Sequence, residues 1–162
     1  MDYYQGVVSE YLRADRSIFL NPEFLLQLDE DEKMPKKGRS WYVDLLAADF
    51  RTSTVFLCEV TYSRTLVALL ERLAGWSQHW PGVLAALHRD AHLPEDWKVR
   101  PWVFIPTQSI STFLNKYHLE LPSFPATPLI TPLEMTAPWE YCTYDRRGEK
   151  PKPDIVPSEM KS

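Results

Sequence analysis

Hydrophobic and polar positions along this chain follow two periods, one typical of helices and one typical of covered strands. Apolar side chains recur every three or four positions in residues 3–17, which predicts an amphipathic helix. Asn21 and Pro22 then predict a break, with Pro22 opening a short helical turn that extends to Gln27. Residues 29–40 are highly charged and lack apolar periodicity, so a loop is predicted there.

Two runs in the middle of the chain are apolar on both pleat faces, as strands covered on two sides are. They occupy residues 41–50 and 53–62 and are joined by a short polar turn. A turn of this length predicts that the two strands form an antiparallel hairpin.

The second half of the chain predicts further helices and two further strands. A broad apolar face extends from Leu66 to about His92, and Pro81 predicts either a kink or two consecutive helices. The remaining predicted elements are a strand over residues 99–106, a helix from a cap at Ser109 or Ser111 to about His118, and a weaker strand over residues 126–131. Pro128 favours an edge position for this last strand.

The resulting order of elements, α-β-β-α-β-α-β, predicts an α/β fold. A small mixed central sheet would be flanked by helices. One domain is expected over residues 1–149. Residues 150–162 are rich in proline and charge, which predicts an extended tail.

The composition is that of an ordinary globular protein. Of 162 residues, 44% are hydrophobic, and the formal net charge is −4. No apolar stretch is long enough to span a bilayer, so no membrane association is expected. The first residues have neither the basic nor the apolar region of a signal peptide, so the cytoplasm is the expected location. Cys58 and Cys142 do not have the spacing of a disulfide or zinc framework.

Basic residues are concentrated just before the first strand of the hairpin. Lys36, Lys37 and Arg39 lie there, between Lys33 and Arg51. The negative net charge argues against indiscriminate binding of polyanions, but a local basic patch can still hold backbone phosphates. The alternative is a solvated loop that happens to be basic.

Two carboxylates, Asp44 and Glu59, interrupt the apolar hairpin. Burying an ionised carboxylate between covered faces costs free energy unless a cation, a metal or several hydrogen-bond donors compensate its charge. Across a hairpin these two acids could lie opposite each other and share one hard divalent cation such as magnesium. Surface ion pairs are the alternative. Asp44 would then pair with Arg39 or Arg51, and Glu59 with Arg64.

The order helix, carboxylate strand, carboxylate strand, helix, strand resembles the PD-(D/E)XK nuclease superfamily over about residues 3–131. That family has a restriction-endonuclease-like fold. The resemblance implies that Asp44 and Glu59 are metal ligands together with the Val60 carbonyl. It also implies that Glu10 is the carboxylate that many members carry on the first helix. Magnesium or manganese would be the cofactor, and a phosphodiester would be the bond that is cut.

The chain departs from the family pattern at two positions. Val43 stands where the family has proline, and Thr61 stands where it has the motif lysine. A hydroxyl cannot supply the positive charge of that lysine. In some members the basic residue lies on the following helix, which makes Arg64 and Arg72 the candidates. Arg64 is nearer to the strand end and is the preferred one.

The sequence is compatible with two functions. The first is a metal-dependent endonuclease that hydrolyses phosphodiester bonds in DNA or RNA, acting as a homodimer or with a protein partner. The second is a non-catalytic nuclease-fold module for binding or assembly. A basic side chain in a pocket with Asp44 and Glu59 favours hydrolysis, whereas a closed or apolar pocket favours the module.

The six tryptophans allow base stacking as well as packing in a core or an interface. Large aromatic side chains more often fill cores and interfaces, so packing is the favoured interpretation. The residues are Trp41, Trp76, Trp80, Trp97, Trp102 and Trp139.

Overall fold

A mixed five-stranded β-sheet with helices on both faces forms the described part of the protein, residues 1–29, 34 and 36–140, in a computed structural model. This architecture confirms the predicted α/β class with a mixed sheet flanked by helices. The predicted tail over residues 150–162 lies outside the described residues.

The bounds of the elements are as follows. The helices are α1 (Tyr3–Arg13), α2 (Val67–Gln78), α3 (Trp80–Asp90) and α4 (Ile110–Glu120). The strands are β1 (Ile18–Gln27), β2 (Ser40–Asp49), β3 (Thr54–Val60), β4 (Lys98–Ile105) and β5 (Leu129–Pro132). Short 3-10 helices cover Thr107–Ser109 and Leu133–Thr136.

The strands follow one another across the sheet in chain order. β1, β2 and β3 are antiparallel neighbours, which confirms the predicted hairpin, and β3, β4 and β5 are parallel. The parallel pairs need crossover connections, and these are supplied by α2 with α3 and by α4. β5 lies at an edge of the sheet, as Pro128 predicts.

The predicted break and helical turn around Pro22 are wrong, because residues 18–27 form strand β1. The observed order is therefore α-β-β-β-α-α-β-α-β. Ile18 and Leu20 pack on one face of the sheet, whereas Phe24 and Leu26 pack on the other. This change of face coincides with Glu23, whose φ is 52°. The alternation that identifies a strand is therefore interrupted halfway along β1.

The long helical pattern is divided into α2 and α3, one of the two predicted outcomes. His79 separates the helices with φ −115° and ψ 24°, outside the helical region. Pro81 lies in the first turn of α3, where a missing N–H breaks no helical hydrogen bond.

The core has two parts because the sheet is covered on both faces. Helices α2, α3 and α4 pack on one face around side chains such as Leu57, Trp76 and Phe113. Helix α1 packs on the other face, where Val8 and Leu12 meet strand side chains. Within the described ranges, no helix is long and apolar enough to cross a membrane.

The tryptophans are divided between core and surface. Trp76, Trp80 and Trp102 are buried, which agrees with the packing interpretation for these three. Trp139 is 83% exposed.

Candidate functional site

A pocket of ≈ 240 Å³ lies where the first half of β2 and the end of β3 meet the beginning of α1 and the middle of α2. Its walls combine two strand carboxylates with polar groups from both helices. The lining residues are Asp2, Gln5, Asp44, Glu59, Val60, Thr61, Ala68, Leu69 and Arg72.

Asp44 is held by one hydrogen bond on each carboxylate oxygen. The Gln5 side chain donates from Nε2 to Oδ1 at 2.7 Å, and the Val60 backbone N–H donates to Oδ2 at 2.8 Å. Burial raises the pKa of Asp44, while the Val60 hydrogen bond and the charge of Arg72 oppose that rise. The carboxylate is therefore fixed in direction by α1 and β3 together.

Gln5 is itself positioned by the cap of helix α1. The Gln5 backbone N–H donates to Asp2 Oδ1 at 2.8 Å, and the Asp2 backbone N–H donates to Gln5 Oε1 at 2.9 Å. This reciprocal capping box fixes the first turn of the helix. It leaves the Gln5 amide nitrogen directed at Asp44.

Glu59 is the most deeply buried acid of the pocket, with 5% of its surface exposed. Its Oε2 accepts a hydrogen bond from Arg72 at 2.7 Å. Its Oε1 is buried without a hydrogen-bond partner among the described residues. Burial, with the negative charge of Asp44, raises the pKa of Glu59 to about 8, although Arg72 lowers it.

Arg72 supplies the cation of the pocket. One guanidinium nitrogen, Nη1, donates both to Glu59 Oε2 at 2.7 Å and to the Tyr42 backbone carbonyl at 2.9 Å. The side chain is 30% exposed, so it extends from α2 across the wall of the pocket rather than into the core.

The pocket contains carboxylate oxygens, the kind of ligand that magnesium prefers. Magnesium binds through one or two carboxylates and keeps several waters, so a cluster of three protein ligands is not required. In the described part of the chain, no group of three or more His, Cys, Asp and Glu side chains converges. Asp44 and Glu59 nevertheless line one pocket, and the partnerless Oε1 of Glu59 is a ligand atom that a cation or a proton would satisfy.

The structure brings together four of the residues predicted from sequence. Asp44, Glu59, Val60 and Thr61 all line the pocket. The Val60 group in contact with Asp44 is the backbone N–H rather than the carbonyl predicted as a ligand. Thr61 Oγ1 accepts a hydrogen bond from the Ser63 backbone N–H at 3.1 Å, so this side chain is engaged in a local turn.

Glu10, to which the resemblance assigned the helix carboxylate, does not line the pocket. The buried face of α1 is formed by Val8, Tyr11 and Leu12, and Glu10 faces away from it. Its carboxylate pairs with Arg13 at 3.2 Å on the surface. Gln5 is the α1 side chain that donates to a pocket carboxylate.

Arg64 is exposed and is not among the pocket-lining residues, so the basic residue near the acids is Arg72. Arg64 lies in the irregular segment between β3 and α2, whereas Arg72 lies on the helix that packs over the strand ends. The sequence named both arginines and preferred Arg64, which does not line the pocket.

The basic segment before β2 is exposed at Lys36, Lys37 and Arg39. Arg39 pairs with Asp29 at 2.7 Å.

The ion pairs proposed as an alternative for Asp44 and Glu59 are wrong. Arg39 and Arg51, the partners suggested for Asp44, pair with Asp29 and Asp15. Glu59 pairs with Arg72 and not with Arg64.

Comparisons with known proteins give one structural similarity. No protein family matches the chain, and no curated protein matches it. The chain is similar to the crystal structure of an XisH family protein from Nostoc punctiforme, with 14% sequence identity and a TM-score of 0.48. The similarity covers 84% of this chain and 95% of that chain. At this level it carries no inference about the chemistry of the pocket.

Proposed function

We propose that this chain is a metal-dependent phosphodiesterase acting on nucleic acid, similar in design to the PD-(D/E)XK nucleases. The observation that carries the proposal is the convergence of Asp44 and Glu59 in one pocket with the Arg72 guanidinium. The proposal places the basic group on the following helix, where some members of that family carry it.

Asp44 and Glu59 would hold the divalent cation in this scheme. When bound, the cation would lower the pKa of a water molecule and neutralise charge on the phosphate. Gln5 would keep the Asp44 carboxylate in place, because its amide already donates to Oδ1. Positioning contacts of this kind support ligand affinity and activity in metal sites.

Arg72 would supply the fixed positive charge that Thr61 cannot. Its guanidinium lies in hydrogen-bond contact with Glu59. A cation fixed beside the carboxylates would offset the negative charge that develops on a phosphate under attack. Lys36 and Lys37, which are exposed in the segment before β2, would contact backbone phosphates without reading sequence.

A non-catalytic binding or assembly module is the second candidate. The observation that favours it is the ion pair between Arg72 and Glu59, which already gives one carboxylate oxygen a partner. In a module of this kind the pair would hold α2 to the end of β3, and no cation would be needed. The two candidates differ in whether the pocket binds a divalent metal.

The proposal is tested by a cleavage assay on single-stranded and double-stranded DNA and RNA with magnesium or manganese. Glu59→Gln replaces the proposed metal-binding carboxylate with an amide of nearly the same shape, and we expect it to abolish cleavage. Glu10→Gln is the matched control, because it removes an exposed carboxylate from α1 outside the pocket. It should leave the rate unchanged.

Cleavage that persists in Glu59→Gln would contradict the assignment of the site. No cleavage by the unmodified protein on any of the four substrates would favour the module.

A further inference from the structure

Exposed tyrosines lie next to the carboxylate pocket, one just after the end of β3 and one on β2. Tyr62 follows pocket residue Thr61 directly and is 53% exposed. Tyr42 is 61% exposed and lines a neighbouring pocket of ≈ 450 Å³, which shares Gln5 and Asp44 with the first. Both rings therefore present aromatic faces to a ligand at the pocket.

The tyrosine on the β3 side belongs to a stack that is already formed. The rings of Tyr62 and Tyr4 are parallel, with an interplanar angle of 2° and centroids 5.0 Å apart. Tyr3 contacts Tyr4 edge to face and is itself 77% exposed. Since the rings are held in place before any ligand arrives, a further planar ring could add to the stack at little entropic cost.

Basic side chains are found in the chain segments next to both Tyr62 and Tyr42. Arg64 is exposed two residues after Tyr62, and Lys116 approaches the same segment, with Nζ 3.4 Å from the Thr65 carbonyl. Lys36 and Lys37 are exposed in the segment that precedes β2 and Tyr42. Aromatic rings interleaved with cations are what single-stranded nucleic acids require, because the bases stack while the phosphates need positive charge.

We infer that the substrate is a single-stranded nucleic acid whose bases stack on Tyr62 and Tyr42 while the intervening phosphodiester lies over the carboxylate pocket. This inference rests on the proposed function for the position of the phosphodiester. In a paired duplex the base faces are covered by neighbouring bases, so a duplex could not use these rings. The occupant is therefore a strand with splayed bases rather than a double helix.

Fluorescence anisotropy with labelled oligonucleotides tests the inference without any cleavage. The probes are oligothymidylate and oligouridylate of about 12 nucleotides and a DNA duplex of the same length, in buffer with EDTA. We expect both single strands to bind more tightly than the duplex. Tyr62→Leu and Tyr42→Leu should each weaken single-strand binding about fivefold or more.

Two variants separate stacking from a merely structural role. Tyr62→Trp keeps an aromatic face and should retain binding close to that of the unmodified protein. Phe19→Leu removes an aromatic side chain that is 62% exposed elsewhere on β1, and it should leave binding unchanged.

Equal or tighter binding of the duplex, or unchanged binding in both tyrosine variants, would overturn the inference. So would the absence of binding to all three probes, in which case a protein partner would be the better occupant. Tyrosine-dependent binding without cleavage in magnesium would instead contradict only the proposed hydrolysis.

Discussion

Replacing Arg72 with alanine is expected to lower metal-dependent cleavage about 100-fold or more, which is the usual loss when a fixed charge-stabilising donor is removed. The variant loses the guanidinium that contacts Glu59 and the Tyr42 carbonyl. The fold should survive at neutral pH, because Glu59 can keep its proton when the cation is absent: its pKa is raised to about 8 even with Arg72 present. Initial cleavage rates and circular dichroism of the same samples check both parts.

Two further variants make this prediction specific to the position of the charge. Arg64→Ala removes an exposed arginine from outside the pocket and should lower the rate far less than Arg72→Ala. Thr61→Lys places a lysine where the PD-(D/E)XK pattern has one, and combined with Arg72→Ala it should recover part of the lost rate. A rate that depends on Arg64 and not on Arg72 would contradict the assignment.

The second large effect concerns stability and pH in metal-free buffer. Glu59 has its pKa raised from 4.5 to about 8, so the folded state holds a proton that the unfolded state has released. Stability is therefore lost as pH rises from about 4.5 to about 8 and changes little above that range. The separation corresponds to at most about 5 kcal/mol. Water entering the open pocket reduces this figure, and we expect about 2 kcal/mol.

Glu59→Gln removes this pH-dependent loss because an amide has no proton to release. The variant should be about as stable as the unmodified protein at pH 5, and more stable by about 2 kcal/mol at pH 8. Urea unfolding of both proteins at the two pH values measures the difference in their free energies of unfolding. Other titrating groups contribute equally to both proteins and cancel in this difference. The stability difference between Glu59→Gln and the unmodified protein should therefore change between pH 5 and pH 8. If it does not change, or if Glu10→Gln shows the same difference, Glu59 is not a buried, protonated acid.

The hairpin and its acids were accessible from sequence because their signals are local. β2 and β3 are joined by a short turn, and the register pairs Leu45 with Cys58. Continuing that register by one position places Asp44 beside Glu59. The same locality explains the separation of α2 from α3 at Pro81, since a proline acts on its own helical turn.

Strand β1 was not accessible from sequence because its pattern is interrupted. Pro22 and the positive φ of Glu23 lie in the middle of the strand, and the apolar residues before and after them face different layers of the core. Each half is too short for its alternation to be recognised. Only pairing with β2 over nearly the full length of both strands makes the segment a strand.

The remaining site residues depend on tertiary contacts. Gln5 carries no charge, and nothing in the sequence near it indicates that its amide meets Asp44, which lies 39 positions later in the chain. Arg72 reaches Glu59 only because α2 packs over the strand ends. Glu10 was misplaced because it lies about 200° around the helix from buried Val8, on the face directed away from the sheet.

Titration calorimetry with manganese and magnesium tests most directly whether the facing acids of β2 and β3 hold a divalent cation. The account predicts one saturable site per chain that is lost in both Asp44→Asn and Glu59→Gln and is kept in Glu10→Gln. Absence of binding by the unmodified protein, or binding that survives both substitutions, would contradict it.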